Sequence, residues 1–179
     1  MLSSADAQPF PTSSCCSDIK TAVALNHWSC IEYQIKRKVV SLQGSMAEFQ
    51  QAATKLEEMS WAPDWDTNSE RRKEPVDSFI KAMETCHFAA LEYNDTLYTI
   101  FRKHGGTKGL LPDPERWECG REDNQEAEWH GMTMKDLKGK LNNVREMVQH
   151  DQTKLSQNWW RVEKEISEIK RLEFGNAFK

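Results

Sequence analysis

No stretch of this chain approaches the roughly 18 to 20 consecutive apolar residues that a membrane-spanning helix requires. In the first thirty residues the longest apolar run is Ala22 to Leu25, so the sequence is read as carrying neither a transmembrane segment nor the apolar centre of a signal peptide. A charge excess of one sign is also missing. The net charge is −4 with 29 % charged residues, which leaves no broad electropositive footprint for nucleic acid. The five cysteines contain no CxxC pair. Their odd number suits the reduced thiols of a cytosolic or nuclear protein better than a disulfide scaffold. No internal repeat is visible, which argues against a helical solenoid.

What the chain does have is heptad spacing. Val76, Phe79, Met83, Cys86, Ala90, Tyr93, Leu97 and Ile100 alternate at intervals of three and four, the pattern of a helix packed along its whole length. Trp28, Ile35, Leu42, Phe49 and Leu56 recur every seven residues in the first third, with a second stripe at Val39, Met46 and Ala53. Leu141, Val148, Leu155, Val162 and Ile169 do the same in the last third. The spacing predicts an all-α fold, an elongated antiparallel three-helix bundle with coiled-coil character. Its helices fall at 18–59, 75–104 and 133–174. Residues 1–17 read as a disordered leader, 18–179 as a single domain, and 107–132 as an irregular segment with a short helix at Asp123 to His130.

Local signals support these bounds. Asp18 and Thr133 suit N-caps, Pro75 suits a first helical turn, and Gly105-Gly106 suits a helix stop. At 1.5 Å per residue the outer helices should span roughly 60 Å and the middle one about 45 Å. That leaves apolar surface to be covered by a second copy of the chain, or internally by Trp117 and Trp129. The last helix also changes phase. Leu137, Leu141, Val144 and Val148 form an early, weakly buried face and Leu155, Trp159, Val162, Ile166 and Ile169 a later, deeper one. Arg145 and Gln152 take the early second-seam positions.

Residues with chemical potential do not assemble into a site at this level. Gly105-Gly106-Thr107-Lys108-Gly109 imitates a phosphate loop, but no strand precedes it and a helix stop accounts for the glycines. His27 with Cys30, Cys86 with His87, and Cys119 with His130 are scattered over three elements, whereas a zinc site needs four converging ligands. Cys86 and His87 point about 100° apart on a helix, so adjacency makes no nucleophile–base pair. The acidic residues of the last helix suit a solvated face. Asn94-Asp95-Thr96 matches a glycosylation acceptor by letter but falls beside seam residues. No catalytic residue, metal or cofactor is expected.

Interaction surfaces are better represented. Of seven tryptophans, Trp28 and Trp159 fall on seams, while Trp61, Trp65, Trp117, Trp129 and Trp160 do not. Most of these are expected to plug the bundle, and some to serve as exposed anchors. Basic clusters occur at Lys36-Arg37-Lys38, Arg71-Arg72-Lys73, Lys135/Lys138/Lys140 and Lys170-Arg171. The candidate contacts with a partner or membrane are Lys36, Arg37, Lys38, Trp61, Trp65, Arg71, Arg72, Lys73, Trp160, Lys170 and Arg171.

The last helix, from Trp159 through Glu165-Ile166 and Glu168-Ile169-Lys170-Arg171-Leu172-Glu173 to Phe178-Lys179, resembles the final helix of BAR modules in sorting nexins. There an apolar-spaced helix runs into a Glu, Arg, aromatic, Glu cluster and an Asp-Phe-Lys. The resemblance covers about one fifth of the chain. Leu172 replaces the aromatic, the Arg-to-Phe spacing is shorter, and a phox-homology domain has no room. It implies a three-helix, dimerising module on endosomal membranes. Two expectations follow: a non-enzymatic helical interaction module that dimerises or joins a coiled-coil assembly, and a BAR-like peripheral membrane dimer.

Overall fold

The computed structural model describes residues 18–102 and 123–176, and in them the protein is all α, without a strand. Three long helices and two short ones follow in order: α1 Ile19–Ala24, α2 Trp28–Ser60, α3 Ser69–Arg102, α4 Asp123–Gly131 and α5 Met134–Asn176. The leader, the Gly105-Gly106 stop with its glycine-rich run, Trp117, Cys119 and Phe178-Lys179 lie outside the described residues. Among the described residues no helix is long and apolar enough to cross a membrane.

The first long helix of the sequence reading is divided in two. Asp18 does cap α1, accepting from the Thr21 N–H at 2.8 Å. The helix then ends after Ala24, where Asn26 adopts a left-handed φ of 50°. The His27 N–H donates to the Ala22 carbonyl at 2.9 Å and that of Asn26 to Val23 at 3.2 Å. This pair of bonds is a Schellman stop, with asparagine in the position glycine usually fills. The middle helix also differs, starting at Ser69 rather than Pro75. Asn68 supplies the earlier cap, its Oδ1 accepting from the Arg71 N–H at 3.2 Å, while Asp64 pairs with the Arg71 guanidinium. Pro75 is then an interior, buried residue of α3, where it forgoes one backbone bond. Thr133 caps α5 as expected. Its Oγ1 accepts from the Asp136 N–H at 3.3 Å and donates to the Asp136 carboxylate at 2.9 Å. Thr133→Ala should therefore cost about 1 kcal/mol, read as a lower urea midpoint at unchanged slope.

The long helices run antiparallel to α2. Lys38 meets Glu92, and the Phe49 and Phe79 rings lie 5.2 Å apart, so numbers rise along α2 as they fall along α3. On the other side Trp28 Nε1 donates to Glu173 at 2.9 Å, Gln50 Nε2 to Gln152 at 3.3 Å, and Glu57 pairs with Arg145. Every residue of the middle seam named above is buried, as are Leu137, Leu141, Val148, Leu155, Val162 and Ile169 of α5.

Two expectations built on helix length change here. With 33 residues in α2 and 34 in α3, both are roughly 50 Å long, so the middle helix is not short. The 43-residue α5 outruns them at its N-terminal end, where cover comes from the same chain. Trp65 of the α2–α3 loop and Trp129 of α4 are buried there, and Met134 N–H bonds the Asp66 carboxylate at 2.8 Å. Lys140 also lies 4.5 Å over the Trp129 ring. The early face of α5 is consequently as buried as the later one. The phase change of the sequence reading is instead a continuous seam whose middle carries Asp151 and Asn158, 1 % and 9 % exposed.

Candidate interaction surface

Most of the residues singled out from sequence separate to the two ends of the helices. Lys36, Arg37 and Lys38 of α2 lie toward the Trp28 end, which α5 reaches with Lys170 and Arg171, whereas Trp160 follows Trp159, which lines a groove with Val39, Val40 and Gln43 near the middle of α2. Trp61, Trp65, Arg71, Arg72 and Lys73 belong to the opposite end, around the α2–α3 loop. Much of the basic charge is already matched by carboxylates of the same chain. Lys38 pairs with Glu92 at 2.9 Å, Arg171 with Glu168 at 2.6 Å, Lys170 with Glu32, and Arg71 with Asp64. The Arg171 guanidinium is held above its ordinary pKa by its hydrogen bond and proximity to Glu168. Such pairs reduce what each cluster offers to an external anion.

The tryptophans divide similarly. Trp65 is 1 % exposed and makes no surface contact, a correction to its place among the candidate anchors. The loop folds it into the core cluster, and beside it the Asp66 carboxylate accepts from the Met134 N–H at the start of α5. Trp61 and Trp160 remain 64 % exposed. Lys164 sits 5.5 Å over the Trp160 ring, an arrangement that attracts a cation to the ring face and adds about 0.5 to 1 kcal/mol at an exposed site.

An exposed apolar stripe that the core seams concealed lies on α3. Phe88, Leu91 and Tyr98 of α3 are 46 %, 37 % and 51 % exposed. With Glu84, Asp95 and Arg102 they repeat the three–four alternation of the core seam, on the opposite side of the helix. The Arg102 guanidinium rests 5.9 Å above the Tyr98 ring. Neither Glu84 nor Arg102 has an ion pair with another described residue. The sequence held the signal, a second heptad set out of register with the first, but three charged residues in six positions made it resemble a solvated face.

A second surface lies between α2 and α5. A groove of about 430 Å³ is lined by Lys36, Val39, Val40, Gln43, Leu155 and Trp159. Val39, Val40, Leu155 and Trp159 give it a largely apolar lining, with Val40 67 % exposed.

Two cysteines lie among the described residues, in different surroundings. Cys86 is fully buried, and burial, with the Asp151 carboxylate second, pushes its thiol up to about 12. A nucleophilic cysteine needs the opposite shift. His27 Nδ1 lies 2.8 Å from Cys30 Sγ, but Cys30 is disulfide-bonded, and a bridged sulfur is not a thiolate ligand. This bridge differs from the reduced thiols that the odd cysteine count suggests. Among the described residues no group of three or more His, Cys, Asp or Glu converges as a metal site would require. Compared with protein-family models, curated proteins and solved structures, the chain finds no match in any of the three.

Proposed function

We propose that this protein is a non-enzymatic helical interaction module, an adaptor or a subunit of a larger helical assembly, that binds through the outer face of α3. The observation that carries the reading is the exposed stripe of Phe88, Leu91 and Tyr98. An exposed aromatic residue taken singly is ordinary. Three large apolar residues at heptad spacing on one helix face are the pattern by which a helix packs on another helix.

The membrane-associated alternative receives less support. It needs basic residues gathered on one side and available to anionic lipid, each contributing about 1 kcal/mol near the surface. Lys38, Arg71, Lys170 and Arg171 instead pair with acids of the chain, and their clusters sit at opposite ends of the long helices. The bridge at Cys30 weighs against the cytosolic placement that the cysteine count suggests.

The reading is tested by affinity capture with the full chain and with a Leu91→Glu/Tyr98→Glu variant of equal helicity by circular dichroism. The expected result is that proteins retained by the wild type, a second copy of the chain included, are lost from the variant. Equal retention by both would remove α3 from the function. Co-sedimentation with phosphatidylserine vesicles that falls with added salt, together with unchanged protein capture, would favour the membrane reading.

A further inference from the structure

The outer stripe of α3 is complementary to itself read backwards. Tyr93 is buried and marks the midpoint. Leu91 and Asp95 lie two residues to either side of it, Phe88 and Tyr98 five, and Glu84 and Arg102 nine. In heptad terms Phe88, Asp95 and Arg102 occupy one seam position and Glu84, Leu91 and Tyr98 the other. Two copies of α3 laid antiparallel about this midpoint therefore bring one seam position against the other in every layer. A two-fold axis requires the same reciprocity, residue i on residue j and j on i.

Charge selects this alignment over the parallel one. In the antiparallel pair each Glu84 carboxylate meets the partner's Arg102 guanidinium, so opposite charges close both ends, and Phe88 stacks against the partner's Tyr98. A parallel pair would set Glu84 on Glu84, Asp95 on Asp95 and Arg102 on Arg102, three like-charge layers along one short seam. Glu84 and Arg102 have no ion pair with another described residue, so forming the new pairs breaks none. The contact of Arg102 with the Tyr98 ring keeps its guanidinium on the stripe.

We infer that a second copy of this chain covers the outer face of α3, antiparallel, with Glu84 of each copy on the partner's Arg102. The inference rests on the reading of α3 as the interaction face and names its occupant. Asp95 faces the partner's Leu91 in the two layers nearest the axis. A polar residue in such a seam fixes register at a cost in stability. The apolar contact is also short, with three large side chains from each copy, below the size of a standard stable interface. The dimer is therefore concentration-dependent and dissociates on dilution.

Two measurements on the full chain test this. Under mild oxidation the double variant Leu91→Cys/Asp95→Cys should give a covalent dimer linked from position 91 to position 95, mapped by peptide mass spectrometry. Leu91→Cys alone should give no link to itself. In sedimentation equilibrium the apparent mass should rise from 20.8 kDa as concentration increases. Glu84→Arg or Arg102→Glu should each weaken association by about tenfold, equivalent to about 1.4 kcal/mol, and the two together should restore it. A 91-to-91 link from the single cysteine variant would overturn the antiparallel register, and unchanged association in both charge variants would overturn the face. A chain that stays monomeric yet retains another protein through Leu91 and Tyr98 overturns this inference alone. One that stays monomeric and retains nothing through α3 overturns the interaction reading as well.

Discussion

Replacing Phe79 with alanine should lower the unfolding free energy by about 3 to 5 kcal/mol, a large part of what holds a domain of this size together. Phe79 is wholly buried, with its ring 5.2 Å from Phe49 and 4.8 Å from Trp129. It therefore joins α3 to α2 on one side and to α4 on the other. Removing it takes away both aromatic contacts and leaves a cavity between three elements that cannot all close at once. Leu97→Ala, toward the other end of the same seam, should cost about 2 to 5 kcal/mol by the same mechanism. The check is urea denaturation followed by circular dichroism, with Tyr33→Ala as the exposed comparison. Tyr33 is 63 % exposed on α2, and its truncation should change stability by no more than about 0.5 kcal/mol. Equal, small changes at all three positions would mean that the α3 seam does not form the core.

That seam was legible in the sequence because none of its positions from Val76 to Ile100 carries a charge. Its period alone identifies a buried helix face. The ends of the elements were less legible. Asn26 stops α1 and Asn68 starts α3, and asparagine does both through geometry that its letter does not announce: a left-handed φ in one case, a side-chain acceptor in the other. Pro75 misplaced the start of α3 because proline favours a first turn, yet buried packing holds it inside the helix. The most instructive departures involve polar residues on heptad positions. On α5, Asp151 and Asn158 continue the core seam, and reading only apolar letters turned that continuity into a change of phase. On α3 the inverse occurred. Glu84, Asp95 and Arg102 masked a second heptad set whose Phe88, Leu91 and Tyr98 form the candidate interaction face. Apolar letters alone cannot separate those two cases. What separates them is which side of the helix its neighbours occupy, and that depends on tertiary contacts.

The buried polar groups of α3 carry a pH dependence whose sign is fixed by their environment. Burial, with the nearby Asp151 carboxylate second, raises the Cys86 thiol from 9.0 to about 12. Burial alone raises the Tyr93 phenol from 10.0 to about 12, and its hydroxyl finds no hydrogen-bond partner among the described residues. Both groups are acids that the folded state keeps protonated. Below about pH 8 they are neutral folded or unfolded and contribute no slope. Above pH 9 the unfolded chain releases the Cys86 proton while the folded chain retains it, and above pH 10 the same holds for Tyr93. The unfolded state then binds fewer protons, so stability falls with rising pH until about 12. By pH 11 the two groups together should have removed roughly 3 to 4 kcal/mol, at about 1.4 kcal/mol per pH unit for each group. Denaturant midpoints from pH 7 to 11, compared between the wild type and a Cys86→Ala/Tyr93→Phe variant, isolate this contribution, because every other titrating group is common to both. The variant will start from lower stability, since Cys86→Ala leaves a small cavity, but its alkaline slope should be much shallower. Parallel pH curves for the two proteins would show that neither group is protected from solvent in the folded state, and that the two turns of α3 from Cys86 to Tyr93 do not face the core.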